Sequence, residues 1–137
     1  MSNLFTRLEE LSTQLNASSD ALTESIKRVE AKLASLRLGV SVWLKEPIDT
    51  TSYQDERVNT FLGYTKVNGK WCLALIDDLH DKIGDPEEYH PAALQQACRE
   101  YRIKALQLIP ELIKALEAAA EAELKTVQAV MAIGDTV

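Results

Sequence analysis

Histidine and cysteine are scarce in this chain, with two of each, and the scarcity removes most metal and nucleophile chemistry before any pattern is read. Cys72 and Cys98 lie far apart, without C-x-x-C spacing and without a third cysteine to complete a metal set. They read as small buried hydrophobes in a reducing compartment. Basic charge is also in deficit. Lys and Arg number 15 against 21 Asp and Glu, which leaves a net charge of −6 and a pI near 4.9. That balance opposes binding to phosphate backbones or anionic lipid, so neither nucleic acid nor a membrane is expected as a partner. No window approaches the ~18–20 apolar residues of a membrane span. The start, Met1-Ser2-Asn3-Leu4-Phe5, lacks the basic segment and apolar run of a signal peptide. A cytoplasmic location follows as the expectation, and the sequon Asn16-Ala17-Ser18 is discounted because it matters only in a secreted chain. With no internal repeat and no separate linker, residues 1–137 are expected to form one domain.

The residues that are present favour folding, since 46% are hydrophobic and 26% charged. From Leu4 to Leu36 the apolar positions Leu4, Leu8, Leu11, Leu15, Leu22, Ile26, Val29, Leu33 and Leu36 recur by threes and fours, with Ser18 in step. This spacing predicts a coiled-coil-like helix over about 3–37. The 4-4 step through Leu22 is a stutter. The poor helix formers Asn16-Ala17-Ser18-Ser19-Asp20 lie beside it, and a break capped by Ser19 or Asp20 is the alternative to one continuous helix. The continuous reading is preferred. Such a helix is longer than a small domain needs, so something else should cover its far end.

Gly39 ends the helical pattern, and a β-meander is expected over about 40–76. Its first strand is Val40-Ser41-Val42-Trp43-Leu44, closed by Pro47, and residues 47–57 read as a polar surface loop. Strands at about 58–67 and 70–76 follow, joined by Asn68-Gly69, the dipeptide a type I′ turn selects. That turn sets Val67 opposite Lys70, Tyr64 opposite Leu73 and Leu62 opposite Leu75. It also puts Gly63 opposite Ala74, a small pair where a helix backbone or an aromatic ring could approach. Both sheet faces then carry apolar residues, which predicts cover on both sides. After an acidic turn at 77–90, a second helix is expected over about 91–133. Its seam is Leu94, Cys98, Tyr101, Ala105, Leu108, Leu112, Leu116, Ala120, Leu124, Val127 and Met131, with a kink at Pro110. The fold class is α+β in the order α-β-β-β-α, with the two helices packed antiparallel in coiled-coil fashion.

The one concentration of potential ligands is Asp77, Asp78, His80 and Asp81 followed by Asp85, Glu87, Glu88 and His90. Asp77, His80, Asp81 and His90 could bind a divalent metal or act as acid and base in hydrolysis. The stronger reading is a turn and helix start, because Asp85-Pro86-Glu87-Glu88 supplies a cap, a first-turn proline and first-turn acids. Trp43, Tyr53, Tyr64, Trp71, Tyr89 and Tyr101 could line a pocket, but at strand positions they belong first to the core and its edge. The glycines and lysines of residues 63–70 lack phosphate-loop spacing and are explained by the hairpin. Arg99, Arg102, Lys104 and Lys114 form a modest basic patch, and Glu9, Glu10, Glu24 and Glu30 load the first helix with acid. Charge on solvated faces explains both, ahead of electrostatic registry between helices in an oligomer.

Without convergent polar chemistry, no cofactor is expected and the chain reads as a non-enzymatic interaction or scaffold module. It should form homo-oligomers through the seam ends Leu4, Leu8, Leu11, Leu15, Leu124, Val127 and Met131. An adaptor or chaperone that binds another protein's segment on its sheet or a helical groove is the second reading. A metal-dependent hydrolase is the third.

Overall fold

In the computed structural model, which describes residues 3–53, 56–79 and 90–136, an antiparallel sheet of five strands lies against helices. Its centre is the hairpin. Asn68 and Gly69 take φ of 53° and 81°, the positive pair a type I′ turn requires. They join β3 (Glu56–Val67) to β4 (Lys70–Leu79) in one ladder from Val67↔Lys70 to Val58↔Leu79. β4 therefore runs past residue 76 into the segment expected to be an acidic turn. At the small pair Gly63↔Ala74, the Trp43 ring lies across Gly63, where a Cβ would collide with the indole and with the Val42 carbonyl.

The first ribbon of the sheet is in two pieces, β1 (Val42–Trp43) and β2 (Asp49–Tyr53), both paired to β3. Leu44 N–H donates to the Leu62 carbonyl at 2.9 Å and Ile48 N–H to the Thr60 carbonyl at 2.7 Å. Lys45-Glu46-Pro47 thus bulges opposite Phe61, and Pro47, which has no N–H, sits where none is needed. On the far side β5 (Ala92–Ala93) pairs with Ala74 and Leu75. The expected three strands become five. The segment expected as a loop is largely an edge strand, whose polar residues face water or neighbouring polar groups; Thr50 donates to Asn59 Oδ1 at 2.8 Å.

The first helix, α1 (Asn3–Leu36), is continuous for 34 residues, about 50 Å at ~1.5 Å per residue. The expected second helix is not continuous. A 3-10 turn at Leu94–Gln96 precedes α2 (Arg99–Gln107), and Leu108 separates α2 from α3 (Ile109–Asp135). The kink expected at Pro110 is a full interruption. Pro110 falls in the first turn of α3, where an absent N–H leaves no intrahelical bond unmade.

One face of the sheet builds the core with Leu62, Tyr64, Leu73 and Leu75. Against it pack Ile26 and Leu33 of α1, Leu94, Ala105 of α2, and Leu112 and Leu116 of α3. α1 packs on β4, the 3-10 turn and α2, whereas α3 packs on β1 and α2. The helices thus occupy opposite borders of the sheet, and no extended α1–α3 seam forms. This corrects the expected antiparallel pairing of the two helices, since each is drawn to a different strand. On the other face Trp43, Phe61, Cys72 and Ile76 are half-buried and stand outside this core. Cover on both sides is therefore not what the described residues provide.

Candidate interaction surface

Each long helix is docked for part of its length and free for the rest. On α1, Ile26, Glu30 and Leu33 are buried, while residues 4–18 are exposed except for half-buried Leu11. On α3, Leu112 and Leu116 are buried, and every described residue from 121 to 136 is exposed. The sequence keeps its apolar spacing through both free stretches. Leu4, Phe5, Leu8 and Leu15 on α1 and Leu124, Val127, Val130, Met131 and Ile133 on α3 are 44–77% exposed. Among the described residues nothing covers these apolar positions. The expected seam residues Leu4, Leu8, Leu15, Leu124, Val127 and Met131 all lie on these stretches, with Leu11 among them.

Arg102 fastens α1 at the boundary between its docked and free parts. Its guanidinium donates to the Ser19 carbonyl at 2.8 Å, Thr23 Oγ1 at 2.7 Å, Ser19 Oγ at 2.6 Å and the Ala97 carbonyl at 3.2 Å. The serine-rich run that weakened the case for one helix is where this cation docks. Glu30 makes a second tie. Although 8% exposed, it accepts from the Leu73 N–H at 2.7 Å and from Gln95 Nε2. It thereby covers a backbone donor on β4 beyond the reach of two-residue β5. Its charge, after burial itself, pushes the Cys72 thiol up, and burial followed by Glu30 does the same to the Tyr64 phenol. Cys98, expected to be buried, is exposed before α2.

A polar row crosses the sheet at Asp49↔Thr60↔Asp77. Thr60 donates to Asp77 Oδ1 at 2.7 Å, and Tyr101 descends from α2 to donate to Asp49 Oδ2 at 2.7 Å. Lys104 reaches Asp49 at 3.4 Å and Glu100 at 3.2 Å. The Tyr101 hydroxyl, aided by Lys104, holds the Asp49 carboxyl below its usual range, and the same bond to Asp49 raises the Tyr101 phenol. Lys104 is raised, first by Glu100 and then by Asp49. The groups satisfy one another and bind α2 to the sheet. Among the described residues no buried side-chain polar atom lacks a partner.

Of the acid and histidine cluster, Asp77 is engaged by Thr60 and His90 is exposed. His80 and Asp81, with Asp85-Pro86-Glu87-Glu88 and Tyr89, lie outside the described residues. Among those described, no three His, Cys, Asp or Glu side chains are placed to hold a metal ion. Tyr64 and Trp71 stack at 5.4 Å between centroids, with Lys66 Nζ 5.6 Å from the Trp71 ring. Beside them a cleft of about 190 Å³ is lined by Leu33, Ala34, Arg37, Leu38, Tyr64 and Trp71. It is smaller than the ~300–1,000 Å³ of most small-molecule sites and lacks convergent polar groups.

Sequence reasoning placed Glu30 and Arg102 on solvated faces. Glu30 had a signal: 26-30-33 keeps helical spacing as well as 26-29-33, and its buried member is the acid. Arg102 had none, because its partners on α1 are more than seventy residues away. No helix of the described residues is long and apolar enough to cross a membrane. Comparison with family models, with curated proteins and with solved structures finds no match.

Proposed function

We propose that this chain is a non-enzymatic scaffold module that self-associates through the free stretches of α1 and α3. The carrying observation is that both helices continue their apolar stripe well beyond anything among the described residues that covers it. Full burial of one Leu, Val, Ile, Phe or Met side chain contributes about 1.5–3 kcal/mol. Several on each helix in each of two copies together offset the ~4–15 kcal/mol of freedom lost on association. The sheet edges support the same reading. β1 and β5 have two residues each and β1 is followed by the Pro47 bulge, so they make poor templates for an added strand, and the five-residue edge β2 carries the polar run Asp49-Thr50-Thr51-Ser52 with no apolar alternation for a partner to bury.

Light scattering after size exclusion, over micromolar concentrations, tests the reading. The expected mass exceeds the 15.3 kDa of one chain and falls on dilution. Leu8→Asp and Val127→Asp should each shift the particle toward the monomer by placing a charge in the contact. A strictly monomeric wild-type protein at every concentration overturns the reading.

A further inference from the structure

The free stretches of α1 and α3 differ in the charge beside their apolar stripes, and this difference bears on which faces which. On α1 the stripe Leu4-Leu8-Leu11-Leu15 is narrow. At 100° per residue its flanks are Arg7, Ser12 and Gln14, and Glu9 and Glu10 fall on the far side. Arg7 is 70% exposed and held only by Glu10 at 3.2 Å one turn away, an exposed pair of little strength. On α3 the stripe Leu124-Val127-Met131 is flanked by Glu121 and Glu123, while Lys125 points away. Two α3 stretches laid together bring acid against acid. Two α1 stretches offer each Arg7 no acid beyond its own Glu10, but an α1 against an α3 sets Arg7 beside Glu121 or Glu123, one on each flank of the α3 stripe.

Resting on the self-association argued above, we propose that the free stretch of α1 from one copy lies along the free stretch of α3 from a second copy, and reciprocally. The chain does not make this pair with itself, because α1 packs on β4 and α3 on β1, and both free stretches are left exposed. Exchange between two copies closes the arrangement with the same contact made twice, as a two-fold assembly requires. Beyond Val127 the surface of α3 is apolar on several sides, with Val130, Met131 and Ile133 exposed. A helix apolar over so wide an arc is covered by more than one neighbour. The two α1–α3 pairs meet there.

Cross-linking of full-length chains tests the pairing. In a background of Cys72→Ala and Cys98→Ser, one preparation carries Ser12→Cys and a second Gln128→Cys. The two are mixed, allowed to exchange, and treated with a short bismaleimide. Mixed Ser12→Cys to Gln128→Cys dimers should dominate. In parallel, Arg7→Glu should weaken association roughly three- to tenfold, and adding Glu121→Lys with Glu123→Lys should restore it. If light scattering shows dimers but only like-with-like cross-links form, or the charge reversal gives no recovery, the pairing is overturned while self-association stands. A sample monomeric throughout overturns both.

Discussion

Ile26 and Leu33, on the docked part of α1, are 0% and 5% exposed; Leu8 and Leu15, on the free part, are 59% and 49% exposed. All four obey the same spacing in the same helix. α3 repeats the contrast, with Leu112 at 0% and Leu124 at 55%. Periodicity therefore identifies the apolar face without identifying where along the helix it is covered. On the docked side the cover is a sheet with Leu62 and Leu73 in its core-facing rows. On the free side the described residues supply none, and under the proposed reading the cover is a second copy.

The contrast breaks most plainly under truncation. Leu112→Ala removes a side chain closed in by the sheet and should lower unfolding stability by about 2–5 kcal/mol, independent of protein concentration. Leu124→Ala, at high dilution, should stay within about 0.5 kcal/mol of wild type, because its surroundings are then water. Urea titrations at two protein concentrations check both. Equal effects would mean that Leu124 is covered within its own chain.

A smaller effect sharpens the docked side. Glu30→Ala leaves the Leu73 N–H and the Gln95 amide without an acceptor, a loss of about 1–3 kcal/mol. Glu30→Gln keeps one acceptor and should recover part of it. If Glu30→Ala proves neutral in urea, water replaces the carboxylate and Glu30 is no tie.

The hairpin, its register and the core-facing residues of β3 and β4 were legible because a two-residue turn with positive φ leaves no freedom in pairing. α1 was legible from spacing, whereas the expected second helix was legible only beyond Arg99 and without its break at Leu108. The extra strands were not, because β2 is an edge whose Asp49-Thr50-Thr51-Ser52 has no need of apolar alternation, and two-residue β5 is too short to leave a pattern. The division of each helix was equally hidden. Nothing in Leu8 or Leu124 differs from Ile26 or Leu112 until β4 and β1 are seen to draw the helices apart.

Arg102 is placed to act at the division itself. Arg102→Ala removes the bonds to Ser19 and Thr23 and leaves the helix there with its own weak propensity. Amide hydrogen exchange at residues 16–23 should quicken, with exchange at the core of α1 around Ile26 little changed. Uniform quickening along all of α1 would show that docked and free parts open as one unit.

The smallest effect concerns the contact of α2 with the sheet. Asp49 titrates below its ordinary value of 3.8 because Tyr101 and Lys104 stabilise its charged form. Its contribution to stability is therefore complete above that value and lost as pH falls through the lower folded one. Tyr101 and Lys104 are raised, so their contributions are complete below their ordinary ranges near 10 and 10.5 and fade as pH climbs through the higher folded values. The contact should hold across the neutral range and loosen at both extremes. Asp49→Asn should flatten the acid limb of a thermal-stability profile and shrink the alkaline one, since Tyr101 and Lys104 lose the same carboxylate. The free stretches of α1 and α3 contain none of these groups, so dilution-dependent assembly near neutral pH should be unmoved by Asp49→Asn. A shift in assembly there would mean that the docked and free parts communicate through α2.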